Sequence, residues 1–162
     1  MLRLLKRIDD ILAKFETALL ILAVSIMVLL SFLQIILRNF FSTGIIWGDT
    51  FLRHLVLWVA FLGASLATRE ERHINIDVLS RTISPAARRW VKMVTNLFAA
   101  VVSILLTRAA IVFILDEKEA GSTTFLSLPL WIVVIIIGFG FAVISFRFLL
   151  KALEGLSPAK EN

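Results

Sequence analysis

The 162 residues contain no cysteine, which excludes disulfide frameworks, thiolate metal sites and thiol nucleophiles. Histidine is nearly as scarce, with only His54 and His73. A heme-carrying membrane anchor commonly needs paired histidines. Here one lies near the end of an apolar block and the other in the loop after that block, so the two cannot face one heme. Only three prolines occur, and none interrupts the centre of an apolar block. The broken helices on which many secondary transporters build their substrate sites are therefore not expected. Charge is missing from Thr17–Leu37 and from Phe125–Phe146. There is also no carboxylate pair, Gly-rich phosphate loop, Ser/His/Asp set or repeat between the two halves. No catalytic residue, cofactor site or metal site is expected, and the chain reads as a non-enzyme.

Apolar sequence is what the chain has in excess. Its hydrophobic share is 59% and its mean hydropathy +0.94, where a soluble domain of this size is nearer half apolar. The excess is gathered into four blocks separated by charged segments, so the solvent for those blocks is lipid. The net charge of +5 and the pI near 10.2 do not indicate nucleic acid. The basic residues flank the apolar blocks, as membrane topology and anionic lipid require, and form no patch of their own.

The fold class that follows is all-α: a polytopic membrane protein with four transmembrane helices, at about 17–37, 50–67, 90–115 and 128–147. Roughly 20 residues cross the hydrocarbon core. The first block has 21 uncharged residues, too long for the apolar region of a signal peptide, and it ends at Gln34-Ile35-Ile36-Leu37-Arg38 without a small-residue cleavage site. It reads as an uncleaved anchor. The second block is the shortest, with an uncharged core only from Leu55 to Ala67, and reaches span length by including the turn from Thr50. The third, Met93–Leu115, holds a single charge, Arg108. Ser84-Pro85 has the form of an N-cap followed by proline at the first helical position, and Ser127-Leu128-Pro129 allows the same start for the last helix. Trp47, Trp90 and Trp131 fall near span ends, as in an aromatic belt.

Residues 1–16 form a further element. Leu4, Ile8, Ile11, Leu12 and Phe15 make one helical face, with Arg3, Lys6, Arg7, Asp10 and Lys14 on another. That spacing describes an amphipathic interfacial helix ahead of a four-helix domain over 17–150, with 151–162 as a tail. Of the 17 Lys and Arg, 13 lie before the first block, between the second and third, or after the fourth. The positive-inside rule therefore places both termini in the cytoplasm.

Lipid gives helices little hydrophobic reason to associate, so small residues and polar bonds mark the contact faces. Span two offers Ala60/Ala64 and Gly63/Ala67, span three a stripe of Asn96, Ala99, Ser103, Thr107 and Ala110, and span four Gly138 and Ala142. Gln34 reads as an interhelical hydrogen-bond partner rather than part of a substrate path. At the outer end, Asp49 and Arg53 have the i, i+4 spacing of an ion pair. Arg108, two turns inside the end of its span, snorkels outward or meets a carboxylate.

From Trp47 onward the sequence resembles the small membrane subunit of tripartite ATP-independent periplasmic (TRAP) transporters. The resemblance rests on Trp47-Gly48-Asp49-Thr50-Phe51-Leu52-Arg53, on Trp58-Val59-Ala60-Phe61-Leu62-Gly63-Ala64, and on Arg72-His73-Ile74-Asn75-Ile76-Asp77. Leu128-Pro129-Leu130-Trp131 looks like the family's proline motif before its last helix. One departure stands out: the family often has two adjacent acids after the first Trp, and here Thr50 takes the second place. The resemblance implies a small permease subunit of a sodium-coupled secondary transporter for organic acid uptake in the bacterial inner membrane. It implies as partners a large membrane subunit, whose static scaffold this chain packs against, and a periplasmic substrate-binding protein. Trp47, Asp49, Arg53, Trp58, Gly63, Ala64, His73, Asp77 and Arg108 are then the expected partner or packing residues. Two other readings remain at this stage. A stand-alone four-helix exporter or channel would need an essential ionisable group deep in a span. An anchor subunit for a redox enzyme would carry heme or quinone.

Overall fold

A computed structural model describes residues 2–70 and 85–156. Four helices account for nearly all of them: α1 (Leu2–Phe41), α2 (Gly48–Arg69), α3 (Pro85–Ala120) and α4 (Leu130–Leu156). All four are long and apolar enough to cross a membrane. The short second block becomes a helix of 22 residues because Asp49, Arg53 and His54 at one end and Arg69 at the other are drawn into it. At 1.5 Å per residue it spans about 33 Å, enough for the hydrocarbon core.

Successive helices run in opposite directions. One end of the structure holds the beginnings of α1 and α3 and the finishes of α2 and α4; it is called the terminal end below. α3 packs most extensively on α4, α2 packs on both α1 and α4, and α4 is the most buried of the four. Small residues explain the closest approach. A Cβ built on Gly140 would stand 2.8 Å from Cδ1 of Phe61 and 3.1 Å from its Cβ, so only glycine lets α4 come this near α2. Phe61 also meets Phe141 edge-on at 5.2 Å between ring centroids. On α3, Asn96, Ser103 and Ala110 of the stripe seen in the sequence are buried, Ala99 and Thr107 are half-buried, and Ala100 is buried beside them; this face forms the seam with α4. Thr107 Oγ1 and Ser145 Oγ lie 3.5 Å apart across it.

Residues 2–16 are helical, as their amphipathic pattern predicts, and they continue into the first span without a break. α1 is one helix of 40 residues, about 60 Å long. Leu4, Ile8, Ile11 and Phe15 are exposed, away from the other helices. Helix ends follow local backbone chemistry. Ser42 adopts the left-handed conformation after α1, and Thr43 N–H folds back to donate to the Leu37 carbonyl at 3.2 Å, closing the helix end. Gly121, also left-handed, stops α3. Pro85 opens α3. The last helix starts differently from the expectation. Ser127 is not its N-cap, and Pro129 precedes its first residue, Leu130. Residues 122–130 instead form a miniature hairpin: Thr124 N–H donates to Leu128 O at 2.8 Å and Leu130 N–H to Ser122 O at 2.9 Å. Its tip places Leu126 (φ 52°) and Ser127 (φ 59°) both in the left-handed region. This is the mirror-image turn that suits strand twist, made without the glycine or asparagine that usually supplies it.

Candidate functional site: two polar clusters and the faces between them

The polar chemistry of the described residues concentrates at opposite ends of the helices. At the terminal end, Arg147 of α4 is 2% exposed and Glu16 of α1 is fully buried. Arg147 Nη2 donates to Glu16 Oε2 at 2.6 Å, Nη1 to Ser65 Oγ at 2.7 Å, and Nε to Asp9 Oδ1 at 2.7 Å. The Ser65 hydroxyl in turn donates to Glu16 Oε1 at 2.7 Å. Asp9 also meets Arg69 Nε at 3.2 Å, and Arg69 reaches Asp10. Lys151 Nζ donates to the Thr68 carbonyl. Two guanidinium groups and three carboxylates thus join α1, α2 and α4. A guanidinium suits this place because its planar donors can satisfy three acceptors at once while keeping a fixed charge.

The local reason lies in α1. Asp9, Ala13 and Glu16 share one helical stripe (i, i+4, i+7), and Ala13, 1% exposed, lets α1 close in between the two acids. Sequence reasoning missed this cluster. It counted Arg147 and Arg69 as flanking basic residues and left Asp9 and Glu16 without a role. The signal that could have found it was the acidic stripe on an otherwise basic amphipathic segment.

At the opposite end, Gln34 organises the turn between α1 and α2. Its Oε1 accepts from Ile45 N–H at 3.0 Å, and its Nε2 donates to Ile45 O at 3.4 Å and Asp49 Oδ1 at 2.9 Å. Gly48 leaves room for this amide, since a Cβ there would lie 2.6 Å from Nε2. The expected role of Gln34 as a hydrogen-bond partner between helices is what the structure has. Asp49, in the first turn of α2 where the helix dipole favours an anion, pairs with Arg38 Nη2 at 2.5 Å. It does not pair with Arg53, as the i, i+4 spacing suggested. The turn swings Arg38 of α1 over the carboxylate, and Arg53 is left exposed.

The other expected residues are dispersed. Trp47 precedes α2 and stacks near Phe125 at 6.5 Å, with Phe51 edge-on to Phe125 at 5.1 Å. Trp58 Nε1 donates to the Val133 carbonyl at 2.9 Å, tying α2 to α4. Gly63 has open space around it and Ala64 is exposed, so the small residues of span two face outward, not into the four-helix packing. Arg108 is exposed on α3. His54 Nδ1 lies 2.7 Å from the Thr50 carbonyl of its own helix. His73 and Asp77 fall outside the described residues. Among the described residues no group of His, Asp and Glu is placed to hold a metal ion.

Four membrane-length helices, with ionic bonds spent on joining one another and broad apolar faces turned outward, define a polytopic membrane subunit. The family follows from comparison with known proteins. The chain belongs to the tripartite ATP-independent periplasmic transporters, DctQ component, whose family model matches residues 27–157. This family is a permease component of TRAP systems and not a catalyst. Among similar proteins, one from Haemophilus influenzae, named a TRAP transporter small permease protein, is 36% identical over 92 residues, 55% of this chain and 57% of that one. The ectoine TRAP transporter small permease protein TeaB of Halomonas elongata is 24% identical over 155 residues, 95% of this chain and 80% of TeaB. The C4-dicarboxylate TRAP transporter small permease protein DctQ of Rhodobacter capsulatus is 32% identical over 108 residues, 65% of this chain and 47% of DctQ. The aligned parts thus span about half the length of two of these relatives and most of the third.

Proposed function

We propose that this chain is the small, non-transporting permease subunit of a TRAP-type secondary transporter for an organic acid, and that it braces the static scaffold of a large membrane subunit. The observation that carries the reading is the family match through residues 27–157, which takes in parts of all four helices. The geometry supports it. α1, α2 and α4 are joined by buried ionic bonds at one end, while α1 and α3 turn large apolar side chains such as Phe32, Leu29, Phe98 and Leu105 outward. Such a body is stiff enough to stand beside a moving domain and has surface to give to a partner.

In this reading the protein lies in the bacterial inner membrane with both termini cytoplasmic, which sets the Arg147 cluster on the cytoplasmic side and the Gln34–Asp49 turn on the periplasmic side. Sodium drives uptake through the large subunit, and a periplasmic substrate-binding protein delivers the acid. The substrate names of TeaB and DctQ, ectoine and C4-dicarboxylates, mark the kind of small carboxylate to try first. Asp49, held by Gln34 and Arg38, keeps the outer turn in shape, and exposed Arg53 contacts the large subunit or the binding protein. His73 and Asp77 organise the loop between α2 and α3.

The test is co-expression with the large TRAP membrane subunit of the same genome and affinity purification in mild detergent. Co-elution is expected, and separate elution contradicts the proposal. Arg53→Glu should lower uptake by the reconstituted transporter about tenfold, the scale of one lost charge contact; unchanged uptake and complex yield would remove Arg53 from the docking surface.

A further inference from the structure

Arg108 stands on an open groove between α3 and α4, about 360 Å³ in volume, lined on the α3 side by Ile104, Thr107, Ile111 and Val112 and on the α4 side by Ala142 and Ser145. The two hydroxyls there are already used as donors, Thr107 to Ser103 O at 2.8 Å and Ser145 to Phe141 O at 2.7 Å. The groove therefore contains one full positive charge, no negative one, and walls that are otherwise apolar. The ion pairs of Arg38, Arg69 and Arg147 lie elsewhere.

Depth makes this arrangement costly. Arg108 lies seven residues, about 10 Å, inside the Leu115 end of its apolar block. Side chains on a helix lean toward its N-terminus, which in α3 is the terminal end. The stem of Arg108 thus leaves the helix toward the middle of the bilayer, away from the nearer headgroups. Snorkelling to a lipid phosphate at that surface works against the direction of the side chain. An arginine held in hydrocarbon is costly unless an anion meets it at its own depth.

We infer that the α3/α4 groove receives a transmembrane helix of the large subunit, and that this helix brings an Asp or Glu carboxylate to Arg108. The inference rests on the proposed role as a small permease subunit and adds where the partner docks and with what chemistry. The exposed residues Ile104, Val101 and Leu97 follow Arg108 at i−4, i−7 and i−11 and carry the same side of α3 toward the terminal end, giving a partner helix several turns of contact around the ion pair. A guanidinium and a carboxylate buried together fix register as well as orientation, which two smooth apolar helices in lipid lack.

The experiment compares Arg108→Glu and Arg108→Lys with the unaltered chain in the co-purified complex, and separately places a photo-crosslinking benzoylphenylalanine at Val112. Arg108→Glu should cut recovery of the large subunit about tenfold or more, with Arg108→Lys retaining most of it. The small subunit alone should melt at an unchanged temperature, because Arg108 bonds to no described residue of its own chain. Crosslinks from Val112 should go to the large subunit, and a carboxylate-to-arginine change on the helix they identify should restore recovery with Arg108→Glu. Unchanged recovery with Arg108→Glu overturns the inference, as do crosslinks that reach only phospholipid. Where Arg108→Glu also lowers the melting temperature, the crosslink from the otherwise unaltered chain decides. If the unaltered pair does not co-purify at all, the subunit reading itself fails, and the groove loses its occupant with it.

Discussion

The two ends of the molecule solve the same problem in opposite ways. At the terminal end, charges sit inside the protein: Arg147 and Glu16 have almost no exposure, and every donor of the guanidinium group that faces the cluster has an acceptor. At the other end, the corresponding ion pair is open, with Arg38 and Asp49 side chains 56% and 51% exposed, and the buried work is done by the neutral amide of Gln34. A buried pair is strongly felt when one partner is removed, because the survivor is left charged in a low dielectric; an exposed pair is screened and weak. Buried ionic bonding is thus concentrated where α1, α2 and α4 meet.

That contrast can be broken most forcefully at Arg147. Arg147→Ala leaves Glu16 buried without its cation, while Asp9 keeps Arg69, and should destabilise the protein by about 3–5 kcal/mol, read as loss of folded protein in a detergent thermal melt. A change under 1 kcal/mol would mean that the cluster holds nothing together. Next comes Gly140→Ala, whose new methyl group would stand 2.8 Å from the Phe61 ring and 3.1 Å from its Cβ. Overpacking of this kind costs about 1–3 kcal/mol, and the same melt should show it as a lower melting temperature. A smaller change of opposite sign is expected from Ser127→Gly. It relieves a left-handed residue at the hairpin tip and should stabilise by about 1 kcal/mol, measured by the same melt; a lower melting temperature would show that the Ser127 side chain contributes to the turn. Least of all, Asp49→Asn should cost under about 1 kcal/mol, since the pair with Arg38 is exposed and the new amide oxygen can still accept from Gln34 Nε2. If it matched Arg147→Ala, the distinction between the ends would collapse.

Much of the fold was legible because lipid enforces it. Backbone groups in hydrocarbon must bond within the segment, so an apolar run of the right length has to be a helix. The α3 seam was readable for a related reason, since Asn96, Ser103 and Thr107 fall on one face among bulky neighbours. The Arg147 cluster was not legible. Glu16 and Arg147 are 131 positions apart, and each stands at the edge of an apolar block, where solvated charges also belong. Nothing in the one-dimensional pattern separates a charge that turns inward from one that faces water. Asp49 shows the same limit from the other side. The i, i+4 rule nominated Arg53, but a nonlocal competitor, Arg38, arrives through the turn and takes the carboxylate. Gly63 was conspicuous in its motif and yet has open space around it, whereas Gly140 makes the close contact; which glycine admits a neighbour depends on where that neighbour lies.

On the proposed reading, these helices grip a partner and provide no passage of their own. The direct measurement is solute entry into liposomes containing this chain alone, with an inward sodium gradient and radiolabelled succinate, pyruvate and sialic acid supplied in turn. Entry no faster than into empty liposomes is predicted for all three. Accumulation of any one of them by the isolated chain would contradict the account.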